Sequence, residues 1–173
     1  MTAETIVQRK ICILGDFGVG KTSLVRRYVE GIFDDQYLST IGVKISRRVV
    51  DVSSGKKVSL IIWDVAGSEE FNGKHIGYLQ GAVAALLVCD LTRTTTLPTL
   101  SKYVDTMRQV TPAARFVVVA NKNDLEDQFE LTQEAVTSFA EGIQAPCFST
   151  SAKTGNHVEE AFTELAIEIE KVY

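Results

Sequence analysis

The chain has 173 residues, 45% hydrophobic and 23% charged, with a formal net charge of −4. These values belong to a single globular domain with a full core of its own and exclude a disordered or collagen-like chain. A mildly acidic chain lacks the broad basic face of a nucleic-acid binder, so no nucleic-acid partner is expected, although backbone amides can still hold a compact anion.

In chain order, five short apolar runs recur, at residues 11–14, 58–63, 84–89, 116–120 and 147–149. Continuous apolar runs of this length suit strands covered on both faces, as in a parallel sheet. Between them lie helical patterns. Residues 22–30 end at Gly31 and residues 132–141 at Gly142, both natural helix stops. Leu100, Tyr103, Val104 and Met107 repeat at helical spacing, as do Val158, Ala161, Phe162, Leu165 and Ile169, with Asn156 as the expected cap and Glu159 three residues later. Residues 43–52 and 57–63 are separated only by Ser53-Ser54-Gly55-Lys56, too short for a helix, which predicts an antiparallel hairpin. The expected fold is α/β: a six-stranded, mostly parallel sheet with one antiparallel edge strand and about five helices, forming one domain over residues 1–173. Ligands of such sheets sit beyond the carboxyl ends of the strands.

The three cysteines, Cys12, Cys89 and Cys147, are odd in number and widely spaced, which predicts buried thiols of a cytoplasmic protein and not a disulfide framework. The longest apolar stretch, residues 82–89, is far shorter than the ~20 residues of a membrane helix. No signal peptide is visible, and with no cysteine near Tyr173 no prenylation site or membrane anchor is expected in this chain.

Gly15-Asp-Phe-Gly-Val-Gly-Lys21-Thr22 fits the phosphate-loop pattern G-x-x-x-x-G-K-[ST] and lies between an expected strand and an expected helix. Its glycines let backbone amides of Phe17, Gly18, Val19 and Gly20 surround a phosphate, Lys21 reaches the β and γ oxygens, Thr22 carries a hydroxyl for Mg²⁺, and Ser23 follows at the helix start. The run 60–63 ends on Asp64, a second oxygen donor for Mg²⁺. Gly67 follows, where the missing side chain allows backbone approach to a γ-phosphate. The strand 116–120 runs into Asn121-Lys122-Asn123-Asp124. A carboxylate at Asp124 can accept two N–H donors from the guanine edge, whereas adenine would leave it unpaired. The stem of Lys122 can lie across the base. The last strand runs into Ser149-Thr-Ser151-Ala152-Lys153, where the Ala152 amide can donate to the guanine carbonyl.

Together these motifs resemble a small GTPase of the Ras superfamily. GDFGVGKT, Ser39-Thr40-Ile41-Gly42, WDVAG, NKND and SAK stand in the family's order, and within the superfamily the chain looks most like the Rab branch. The resemblance implies a switch that binds GTP or GDP with Mg²⁺. Thr40 would ligate Mg²⁺ and sense the γ-phosphate, and Phe33 would pack on the guanine. Effectors would bind two switch loops, one running from Phe33 to Lys44 and carrying Tyr37 and Ile41, the other from Asp64 to Tyr78. An exchange factor and an activating protein would act on a monomer. Membrane association would be peripheral, through a lipidated tail or a recruiting partner.

The sequence departs from the family pattern at two positions. The residue after Gly67 is Ser68 where the family has the Gln that orients the attacking water, so slow hydrolysis is expected. Phe17 replaces a small residue in the phosphate loop and would crowd an activator's arginine or cover the γ-phosphate. The alternatives are a nucleotide-dependent scaffold that scarcely hydrolyses GTP and, disfavoured by Asp124 and S-A-K, a phosphate-loop kinase or ATPase. The Arg26-Arg27 and Arg47-Arg48 pairs read as solvated faces, and His75 and His157 show no ligand spacing.

Overall fold

A computed structural model describes residues 5–36, 39–53, 55–67 and 73–173. Six strands, β1 (Ile6–Leu14), β2 (Val43–Ser53), β3 (Lys56–Val65), β4 (Ala84–Asp90), β5 (Arg115–Asn121) and β6 (Cys147–Ser149), form one sheet in the order β2-β3-β1-β4-β5-β6. Only β2 runs antiparallel, paired with β3 as the expected hairpin at one edge. The helices are α1 (Lys21–Glu30), α2 (Gly73–Leu79), α3 (Leu100–Val110), α4 (Gln133–Gly142) and α5 (Val158–Glu170).

The apolar runs mark the strands' doubly covered parts, which makes them shorter than the strands themselves. The sequence places the first strand at 11–14, but β1 begins at Ile6. Its first half pairs with β3 from Ile6 opposite Lys57, and β4 joins only from Ile11 opposite Ala84. Residues 6–10 accordingly keep partial exposure and include the polar Gln8, Arg9 and Lys10, while Ile11, Cys12, Ile13 and Leu14 are buried. Strand β4, in the middle, is buried along its whole length.

Alternate residues of the central strands feed two cores. Ile11, Ile13, Leu86, Val88, Val117 and Val119 pack with α1 and α5, while Cys12, Leu14, Leu87, Cys89, Val118 and Ala120 pack with α2, α3 and α4. Cys12 and Cys89 are buried thiols as expected, whereas Cys147 is only partly covered.

Helix ends show where local signals held and where they lost. Thr132 caps α4 by accepting from the Ala135 amide at 3.1 Å. Asn156 does not cap α5. The residue before that helix is His157, in the left-handed region at φ 55°, with no side-chain cap. The backbone of Asn156 is used instead to close the preceding loop, its carbonyl accepting from the Ser151 amide at 3.1 Å. Helix α2 occupies part of the stretch read from sequence as a loop.

Candidate functional site

The site lies at the carboxyl ends of the parallel strands, where loops after β1, β3, β5 and β6 surround a cleft of about 360 Å³. Of the residues named from sequence, Phe17, Gly18, Gly20, Lys21, Thr22, Ser23, Phe33, Thr40, Gly67, Asn121, Lys122, Asp124, Ala152 and Lys153 line it. Tyr37 and Ser68 lie outside the described residues. Phe33 both lines the cleft and packs against the α1–α5 core. Phe17 is 54% exposed at the rim.

The phosphate loop turns through glycines with positive φ at Gly15, Gly18 and Gly20. At Gly20 (φ +100°) a Cβ would stand 2.3 Å from the Asn121 side-chain nitrogen, so only glycine fits. The Lys21 ammonium donates to the carbonyls of Gly15 at 2.8 Å and Asp16 at 3.0 Å. Burial lowers its pKa from 10.5 to about 8, against the opposing pull of Asp64 and Asp16. Gly67 sits directly on this loop. A Cβ there would be 2.5 Å from the Phe17 nitrogen and 2.7 Å from the Lys21 ammonium.

Three oxygen donors from distant parts of the chain meet beside Lys21. The Thr22 hydroxyl donates to Asp64 Oδ2 at 2.6 Å and stands 2.5 Å from the Thr40 hydroxyl. Asp64 is fully buried and its Oδ1 has no hydrogen-bond partner; burial raises its pKa, opposed by the Thr22 bond and by Lys21. One buried carboxylate with an unpaired oxygen and two hydroxyls, with neither imidazole nor thiolate among them, is a donor set for a hard cation such as Mg²⁺ that keeps waters and takes its other ligands from phosphate oxygens.

At the opposite end the base-reading residues form one linked unit, in which Asn121 and Ser151 hold their neighbours in place. Asn121 is 2% exposed, and its amide is spent within the protein. It donates to the Val19 carbonyl at 3.0 Å and accepts from the Thr150 hydroxyl at 3.1 Å and the Ala152 amide at 3.2 Å. It therefore ties the phosphate loop to the last loop of the site. Ser151 is fully buried, and its hydroxyl donates to Asp124 Oδ1 at 2.7 Å, orienting that carboxylate. Val19 is a core residue whose carbonyl, not its side chain, serves the site.

Sequence reasoning missed a supporting ring. Asp34, Asp35, Gln36, Ala66 and Leu125 also line the cleft. Asp16 is held by Thr99 at 2.7 Å and Tyr103 at 3.5 Å, fastening the phosphate loop to α3. Buried Asp90 forms an ion pair with the Lys122 ammonium at 2.7 Å and accepts from Arg93 Nε at 3.1 Å, and Lys122 itself sits at φ +70°. The arginine pairs read as solvated faces are engaged. Arg27 donates to the Ala152 carbonyl at 2.8 Å and to that of Lys153, and Arg48 stacks 4.1 Å over Tyr28 while pairing with Glu159. Charge alone gave no signal for these roles, because each partner lies far away in sequence.

The sheet and cleft define a phosphate-loop nucleotide-binding protein. A model of the Ras family matches residues 10–171. Ras-related protein Rab-1C of Dictyostelium discoideum is 35% identical over 163 residues, 94% of this chain and 81% of that protein. Rab-22A of Mus musculus is 37% identical over 158 residues (91% and 81%), and Rab-13 of Canis lupus familiaris 35% over 161 (92% and 79%). The chain belongs to the Ras family and is a Rab-like small GTPase. Members of that family bind GTP and GDP with Mg²⁺, hydrolyse GTP and work as switches with effectors, exchange factors and activating proteins. Among the described residues, no helix is long and apolar enough to cross a membrane.

Proposed function

We propose that residues 1–173 act as one guanine-nucleotide switch domain that hydrolyses GTP slowly. The observation that carries the reading is the meeting of Thr22, Thr40 and Asp64 oxygens beside buried Lys21, in a cleft whose other end holds Asp124 set by Ser151. Lys21 and the amides of Phe17, Gly18, Val19 and Gly20 bind the phosphates, with Ser23 at the helix start. Thr22, Thr40 and Asp64 hold Mg²⁺, which when bound neutralises charge on the β- and γ-phosphates. Asp124 accepts from the guanine edge, the Lys122 stem and Phe33 cover its faces, and Lys153 completes the pocket with Ala152, whose amide in this structure donates to Asn121 Oδ1. Asn121 and Ser151 position these groups.

In hydrolysis, water attacks the γ-phosphorus in line with the departing bridging oxygen. A phosphorus–oxygen bond forms to water as the bond to that oxygen breaks, and GDP leaves with it. Lys21 and the loop amides hold the transferring group, and Gly67 brings its backbone against the same loop. Serine at position 68 is shorter than glutamine and has no amide, so it cannot donate to and accept from the attacking water at the same reach. Intrinsic hydrolysis is therefore slower by at least ~10-fold, about 1.4 kcal/mol of barrier. Phe17 at the rim crowds any arginine offered in trans, so the GTP state is long-lived.

Effectors dock on the loops from Phe33 to Lys44 and from Asp64 to Tyr78, Tyr37 included. Ile41, 96% exposed, supplies apolar surface there, and Ile45 of β2, 53% exposed, adjoins the first loop. The protein works as a cytoplasmic monomer in signalling or vesicle trafficking, served by an exchange factor and an activating protein, and is peripheral to membranes only where a lipidated tail or a recruiting partner supplies the attachment. The second reading, a GTP-bound scaffold that scarcely turns over, rests on Ser68 and Phe17 together.

The test is the nucleotide released from freshly purified protein, followed by single-turnover hydrolysis of wild type and Ser68→Gln. Retained GTP and at least ~10-fold faster hydrolysis by the variant are expected. A variant no faster than wild type refutes the role given to position 68, and an adenine nucleotide refutes the guanine assignment.

A further inference from the structure

Arg93, just after β4, is not explained by the nucleotide contacts above. Its Nη2 donates to the Phe17 carbonyl at 2.9 Å and its Nε to Asp90 Oδ2 at 3.1 Å. Asp90 is fully buried and is itself fixed by the Thr92 amide at 2.8 Å, the Thr92 hydroxyl at 2.7 Å and the Lys122 ammonium at 2.7 Å. A guanidinium held by two anchored acceptors has a set direction.

The Phe17 carbonyl is one half of a peptide unit whose other half is the Gly18 N–H. The chain has no cis peptide bond among the described residues. In a planar trans unit the N–H points opposite to the carbonyl. Phe17 and Gly18 line the cleft, whereas Arg93 stands outside its described walls. With the carbonyl drawn toward Arg93, the Gly18 N–H is aimed toward the cleft. A cation on the carbonyl oxygen polarises the amide and strengthens its N–H as a donor, the more so where water is excluded.

We propose that Arg93, acting in cis through the Phe17–Gly18 peptide, is a positioning residue for phosphoryl transfer that aims and strengthens an N–H donor at the phosphate chain. The inference rests on the guanine-nucleotide reading above. Negative charge grows on the phosphate oxygens as GDP departs, so a strengthened donor serves the transition state more than the ground state. Asp90 orients this arginine and the base-covering Lys122 with one carboxylate oxygen, linking the two ends of the cleft.

The experiment compares wild type, Arg93→Lys and Arg93→Gln, each loaded with GTP and Mg²⁺. It reads single-turnover hydrolysis, GDP release and the phosphorus resonances of the bound nucleotide. In Arg93→Gln, hydrolysis should fall about tenfold and GDP release should rise, with the resonances displaced, as expected for loss of one charge-assisted bond. Arg93→Lys, which keeps the cation, should recover most of the hydrolysis and the wild-type resonances. The assignment is overturned if Arg93→Gln matches wild type. It is equally overturned if both variants lose the same activity with a lowered melting temperature and unmoved resonances, because Arg93 would then only brace the fold. A wild type that carries no guanine nucleotide overturns the functional reading and this assignment with it, and wild type alone reveals that case.

Discussion

Burial makes Lys21 change charge near pH 8, more than two units below an exposed lysine. Its folded pKa lies below the unfolded 10.5, so between about 8 and 10.5 the unfolded chain binds the extra proton. In the nucleotide-free protein this group's contribution to stability therefore rises with pH across that window and is a constant penalty below it. A bound triphosphate favours the ammonium and returns the proton. Nucleotide binding at about pH 9 should take up close to one proton, and at about pH 7 close to none. Titration calorimetry in two buffers of different ionisation heat measures this directly, and identical heats at the higher pH would show that Lys21 gains no proton on binding, which overturns its lowered pKa in the empty cleft or its contact with the phosphates. Asp124 and Ser151 offer a graded test at the other end of the cleft. Asp124→Asn exchanges one acceptor for a donor facing the guanine edge and should weaken GTP binding by ~100-fold or more. Ser151→Ala removes only the 2.7 Å bond that orients the carboxylate and should weaken binding by ~10-fold, with guanine preference retained. Competition binding with GDP, GTP and ATP reads both, and equal losses would mean that Ser151 contacts the base itself.

At the scale of elements, α1 is fastened to the site from both ends. Its first turn carries Lys21 and Thr22. One face farther on, Arg27 reaches across to the carbonyls of Ala152 and Lys153, which precede α5. The same helix sends Tyr28 into a stack on Phe162 at 4.0 Å, covered from the other side by Arg48 of β2. Movement of α1 against α5 would thus pull on the loop that reads the base. Arg27→Met, which keeps most of the stem but no donors, should cost about 1–2 kcal/mol in urea unfolding. It should also speed the release of GDP and GTP alike. An unchanged release rate alongside lost stability would confine Arg27 to holding the fold. The Arg48–Glu159 pair, with the Arg48 side chain 34% and the Glu159 side chain 58% exposed, should contribute no more than ~1 kcal/mol.

For the whole molecule, what was legible in the sequence was what short stretches of chain specify. The phosphate loop, the Asp64 strand end, the N-K-N-D turn and the S-A-K turn are motifs in which spacing and backbone freedom are the geometry, so the position of the cleft followed from them. The braces between them were not legible. Arg93 with Phe17, Thr99 with Asp16 and Arg27 with Ala152 span 76, 83 and 125 residues, and no local pattern announces such partners. The same braces make the nucleotide a tie for the domain, since loops after β1, β3, β5 and β6 all meet in the one cleft. A ligand present at about 100 times its dissociation constant adds about 2.7 kcal/mol to folding stability. In a domain of this size that is a rise of roughly 5–10 °C in melting temperature. Stripped protein given GDP and Mg²⁺ should show that rise. ATP at the same concentration should show almost none, because adenine offers Asp124 no donor pair and would leave that carboxylate facing the base unpaired. If ATP raised the melting temperature as far as GDP, the phosphate loop and its cation ligands would stand, while Asp124 and the Ser151 hydroxyl that orients it would lose their part in choosing the base.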